Sequence, residues 1–163
     1  YATAALIALG AASNLSAADS TKVRTIADYV RRNGVNTTID NNTQGECLPF
    51  EFTGLTDNVS GFTENFSFCT LEFNGKENLA LVIRRYNRVT NSQRLTFIVD
   101  NGYSGWVDLV VTKRDERDST SGPLTYNGMR SFTGVRNSFQ TTFETAVNAA
   151  YENITRQGIR RSY

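Results

Sequence analysis

The stretch that decides the fold runs from Phe62 to Lys113: FTENFSFCTLEFNGKENLALVIRRYNRVTNSQRLTFIVDNGYSGWVDLVVTK. Phe62–Phe73 alternates aromatic and polar residues, the period-two signature of a half-buried strand. Asn74-Gly75 follows, and this pair is the strongest short hairpin signal because both residues accept positive φ. Leu79–Val89 reads as the return strand. Thr90–Gln93 (TNSQ) is a turn, Arg94–Val99 a third strand, Asp100–Gly105 (DNGYSG) a second turn, and Trp106–Lys113 a fourth strand. Loops this short join only antiparallel neighbours, so the strands form a meander.

Upstream, Leu48–Thr53 reads as a short strand, with Pro49 keeping it at an edge or a strand start. Residues 34–46 (GVNTTIDNNTQGE) are polar and read as a loop. Before them, Ser20 serves as an N-cap. Val23, Ile26, Ala27 and Val30 recur at helical spacing, Arg31 and Arg32 fill the last turn, and Gly34 is a stop signal. This predicts an amphipathic helix over 20–33. Ala2–Ala18 is apolar, shorter than a bilayer span, and lacks the positive n-region of a leader. It reads as an Ala-rich helical extension over 1–19, continuous with the next helix and packed on this fold or on a partner subunit. A filament-core or membrane-contact helix is the alternative.

Downstream, Arg114–Pro123 is a charged connection, and Leu124–Phe132 a weaker strand interrupted by glycine. Phe139, Phe143, Ala146, Val147, Ala150 and Ile154 then share one helical face, ending at Gly158. The whole chain, 1–163, reads as a single α+β domain. An antiparallel β-meander of about five or six strands lies between an N-terminal helix and a long C-terminal helix.

A chain of 163 residues is long enough to fold without a staple. Its net charge of +1 creates no global field calling for nucleic acid or membrane. No histidine is present, which removes the commonest general base and the commonest metal ligand together. No cofactor, metal or membrane partner is expected. Of the 17 basic residues, 14 are Arg, whose planar fork grips phosphate or carboxylate in two places. Cys47 and Cys69 are the only cysteines. A disulfide, two buried thiols and a cross-link between subunits are all open. Asn-x-Ser/Thr triplets at Asn14, Asn36, Asn41, Asn58, Asn65 and Asn153 matter only on a eukaryotic secretory route.

Catalytic patterns are sparse. Lys22, Lys76 and Lys113 are not framed by a Ser-x-x-Lys motif, so no nucleophile–base pair emerges. Glu51, Glu64 and Glu72 lie on or beside strands. Glu64 and Glu72 are an even number of residues apart, as a carboxylate pair on one sheet face requires; a solvated sheet face is the plainer reading. Asn101–Gly105 lacks the following helix that a phosphate loop needs.

One surface is suggestive. Arg84, Tyr86 and Arg88 share a face by alternation, Arg85 faces away, and Arg94 lies on the neighbouring strand. Arginine and tyrosine on a sheet can bind RNA phosphates and stack on exposed bases. A solvated face whose arginines pair with nearby acids is the alternative.

A meander followed by a C-terminal helix over residues 62–163, in a small His-free, Arg-bearing chain ending in Tyr163, resembles the coat proteins of single-stranded RNA phages. The resemblance lies in element order. It implies a sheet facing the inside of a shell and binding RNA, helices reaching across a dimer, and cysteines that cross-link subunits in some members. This chain departs from the pattern by opening with a helix and closing with one helix where two are usual.

The leading expectation is therefore a non-enzymatic subunit of a homo-oligomeric virus or phage coat, located in a virion. RNA contact falls to Arg84, Tyr86, Arg88 and Arg94. The alternative is an extracellular binding module, such as an adhesin, pilus component or secreted effector, with a Cys47–Cys69 disulfide. A third reading is a His-free hydrolase built on carboxylates.

Overall fold

A computed structural model describes residues 16–40, 43–52, 62–73, 75–114 and 133–161. Helix α1 (Ser20–Asn33) leads into six strands: β1 (Val35–Asp40), β2 (Thr43–Phe50), β3 (Phe62–Phe73), β4 (Lys76–Asn87), β5 (Ser92–Asn101) and β6 (Leu109–Arg114). Helix α2 (Thr133–Arg161) follows. The strands form one antiparallel sheet in the order β1-β2-β3-β4-β5-β6, the expected α+β meander.

Side chains alternate across the sheet, so each face has its own apolar cluster. Phe50, Phe66, Phe68, Leu79, Leu81, Ile98 and Val110 pack with both helices. Helix α1 contributes Val23, Ile26, Ala27 and Val30, and α2 contributes Phe143, Ala146, Val147 and Ala150. Phe68 meets Phe143 edge to face at 6.3 Å, and Phe50, Phe52 and Phe66 extend the aromatic seam along the sheet. The opposite face buries Cys69, Leu71, Ala80, Val82, Leu95, Phe97 and Val99.

The start of α1 differs from expectation. Residues 16–19 are not helical, and Asp19, rather than Ser20, is the N-cap. Its Oδ1 accepts the Thr21 N–H at 2.8 Å. A helix continuous from the Ala-rich segment is therefore broken here. Residues 1–15 lie outside the described residues, as does the predicted strand over 124–132.

Residues 34–46, expected to be a loop, contain β1 and the start of β2. These are an edge hairpin, and exposed edge strands carry polar residues, so Thr and Asn mask the strand pattern. Trp106 lies in the β5–β6 loop instead of a strand, 43% exposed. Helix α2 runs on through Gly158 to Arg161, so that glycine does not act as a stop.

The β5–β6 loop is tied to the segment before α1 and to α2. Ala18 N–H donates to Gly105 O at 3.0 Å. Gln140 of α2 donates to Gly105 O at 3.0 Å and to Ser16 O at 3.3 Å, and accepts the Val107 N–H at 2.8 Å. Gly105 has φ +89°, and a Cβ there would lie 1.9 Å from Ala18 O. Gly102 has φ +85° but open space around it. Gly105→Ala is expected to lower unfolding free energy by at least about 3 kcal/mol, and Gly102→Ala by about 1 kcal/mol. Urea titration of both variants checks the contrast.

Candidate functional site

The β4–β5 hairpin carries most of the predicted site residues, and the register distributes them differently from simple alternation. Arg84 and Tyr86 project from the face opposite the helices, like Ala80 and Val82. Arg84 sits opposite Asn65 and Leu95, and Tyr86 opposite Thr63 and Gln93. The Arg84 guanidinium is held by Gln93 Oε1 and by Ile39 O of β1, both at 3.2 Å. The Tyr86 hydroxyl donates to Asn91.

Arg88 does not join them. Strand β4 ends at Asn87, and Arg88 falls in the exposed turn that follows. There the Asn87 side chain accepts the N–H groups of Val89 and Thr90 at 3.0 and 3.3 Å. Arg94 is also displaced. It pairs in register with Arg85, which puts it on the helix side of the sheet. Arg94 is exposed. Arg85 binds Glu64 Oε1 through Nε and Nη2, both at 2.6 Å, with its guanidinium 5.0 Å from the Phe62 ring centroid.

That ion pair bears on the carboxylate reading. Glu64 and Glu72 do share a face, but eight residues along one strand separate them by about 26 Å. General acid–base pairs in glycoside hydrolysis sit about 5–9.5 Å apart, so these two cannot act together. Glu51 and Glu64 do line one cavity of about 470 Å³, walled by Phe50, Phe52 and Phe66. Among the described residues, no three His, Cys, Asp or Glu groups are arranged to hold a metal, and no helix is long and apolar enough to cross a membrane.

Cys47 and Cys69 form a disulfide within the chain. They are direct partners across β2 and β3, with Cα atoms 4.1 Å apart, and both are buried. Both sulfurs being used internally, neither is left to cross-link subunits.

At the other end of the sheet, Asp100 is fully buried. Its carboxylate accepts the N–H groups of Ser104 at 3.0 Å and Gly105 at 2.7 Å, and the Ser104 hydroxyl at 3.2 Å. Burial raises its pKa against the lowering effect of these donors, and nearby Asp108 pushes the same way. Nearby, the Arg31 guanidinium bonds Asp28, Glu77 and the Tyr103 hydroxyl, and Tyr103 donates to Glu77 at 3.0 Å. These bonds to Glu77 and Tyr103 hold the Arg31 pKa above its ordinary value. Burial raises that of Tyr103. The Arg31 cluster joins residues from separate elements, so no local pattern reveals it. The Asp100 bonds lie within the Asp100–Gly105 turn, which the sequence marks as a turn without marking the carboxylate that organises it.

Of the glycosylation triplets, Asn36 on β1, Asn65 on β3 and Asn153 on α2 are all exposed. Asn14, Asn41 and Asn58 lie outside the described residues. No family model, curated protein or solved structure matches this chain.

Two outcomes are expected. The native protein should show no reactive thiol until reductant is added, and Cys47→Ser with Cys69→Ser should lower stability by about 3 kcal/mol, because the disulfide closes a loop of about 22 residues in the unfolded chain. The second concerns pH. A pKa raised in the folded state means that folding takes up a proton as pH falls toward 3.8, the unfolded value. Stability from this group is then complete below 3.8 and lost as pH rises through the folded value. Asp100→Asn should accordingly steepen the loss of unfolding free energy on acidification in the window just above 3.8; an unchanged acid limb would contradict it.

Proposed function

We propose that this chain is a non-catalytic subunit of a homo-oligomeric assembly, a virus or phage coat protein, whose sheet contacts RNA. The observation that carries this reading is the Arg84–Tyr86 patch. These two residues stand side by side at the hairpin end of the sheet face that bears neither described helix, flanked across the strands by Asn65, Thr63 and Gln93. A guanidinium held by Gln93 and Ile39 O presents a pre-positioned charge for phosphate, and the neighbouring phenol ring offers a face for a base. Exposed Arg88 in the adjoining turn adds a cation at the same end. The order of meander and closing helix agrees with the resemblance to RNA-phage coat proteins.

A second reading has one observation in its favour. The buried Cys47–Cys69 disulfide suits an extracellular binding module, since such bonds persist where the environment is oxidising. The native assembly state and the nucleic acid content separate the two. The coat reading expects a large species by negative-stain microscopy, with an absorbance ratio showing bound RNA. A monomer free of nucleic acid at high concentration would sink it and favour the module. Within an RNA-binding assembly, Arg84→Ala should weaken RNA binding and reduce the slope of log affinity against log salt by about 1, as expected for one lost phosphate contact. Tyr86→Ala should weaken binding with little change in that slope; filter binding across a salt series reads both.

A further inference from the structure

We infer that copies of this chain associate through the helix-side face of the sheet, the arginine row at one end of one copy seated against the carboxylate-lined cavity at the far end of another. This rests on the homo-oligomer reading and concerns a different surface from the Arg84–Tyr86 face.

The row follows from register. Arg85 lies opposite Arg94, and Arg94 opposite Arg114, so three arginine positions stand in line across β4, β5 and β6. The other end of the same face carries the reverse arrangement. Glu72 lies directly opposite Glu77, and Glu46 is on the adjacent strand β2. Like charges directly opposite each other destabilise a sheet. Here one such set of each sign occupies one face, about 26 Å apart along β4.

Each set is only partly neutralised within the chain. Arg85 is paired with Glu64, and Glu77 with Arg31. Arg94, Glu46 and Glu72 form no ion pair among the described residues, and Arg94 and Glu72 are exposed. The acidic set opens into a cavity of about 550 Å³ that Arg31, already paired with Glu77, also lines together with Asn36, Gln44 and Thr70. The carboxylates left for an incoming guanidinium are therefore Glu46 and Glu72, with amide and hydroxyl groups beside them. Within one copy the two sets are separated by several screening lengths at physiological salt, where that length is about 8 Å, so they gain little from each other. A second copy brings them into contact and offsets both internal repulsions. The occupant of the cavity is thus the arginine row of another copy, chosen by charge complementarity.

Sedimentation velocity on full-length Arg94→Glu, Glu72→Arg and their equimolar mixture tests this. Each variant alone should self-associate at least about tenfold more weakly than wild type, and wild-type association should weaken as salt is added. The mixture should regain association, because the reversed row of one variant fits the reversed cavity of the other. That rescue also shows that neither variant failed merely by misfolding. Assembly of both variants as in wild type would overturn this interface while leaving the subunit reading intact. A wild-type protein that stays monomeric at every concentration would remove both. Loss of bound RNA in Arg94→Glu with assembly unchanged would assign the row to nucleic acid and likewise overturn the inference.

Discussion

Twelve consecutive residue pairs join Phe62–Phe73 to Lys76–Asn87, and the two-residue loop between them leaves no slack in their register. A slip of one residue would turn Phe66 and Phe68 away from the helices and send Cys69 and Leu71 toward them. Both apolar clusters depend on this alignment. So does the disulfide, since β2 pairs against β3 with Cys47 opposite Cys69. The pairings of Glu64 with Arg85 and of Glu72 with Glu77 are set by the same twelve pairs. Packing energy and surface charge are therefore placed by one local constraint.

The helices add a second constraint of a different kind. They touch each other through Lys22 with Asn148 and Tyr29 with Gln157, which makes them run in parallel. The entire sheet separates them in sequence. Their docking is completed by the β5–β6 loop, where Gln140 and Ala18 meet around Gly105. Asp100 shapes that loop from within by accepting three bonds, which makes a buried carboxylate part of the framework despite its desolvation.

The central strands were legible because the signal there is local. Aromatic alternation in Phe62–Phe73 and the Asn74-Gly75 pair specify a hairpin without reference to the rest of the chain. The edge hairpin was not: VNTTID forms the edge strand β1, whose polar residues face water, and TQGE opens the interior strand β2 without any apolar alternation. Gly158 misled in the opposite direction: a stop signal of about 1 kcal/mol is overridden inside a long helix. Of the site, alternation correctly separated Arg84 and Tyr86 from Arg85. It could not place Arg88, whose position depends on where β4 ends, or Arg94, whose face depends on the β4–β5 register. The Gln140 network joins residues up to 124 positions apart, and no periodicity carries that information.

The Cys47–Cys69 bond has a topological consequence. It makes the segment between these residues a covalent ring that includes the whole connection from β2 to β3. A protease cutting that connection opens the ring without dividing the molecule. The nicked protein keeps both halves joined through sulfur, and with them the β2–β3 register, so such damage becomes visible as two fragments only after reduction.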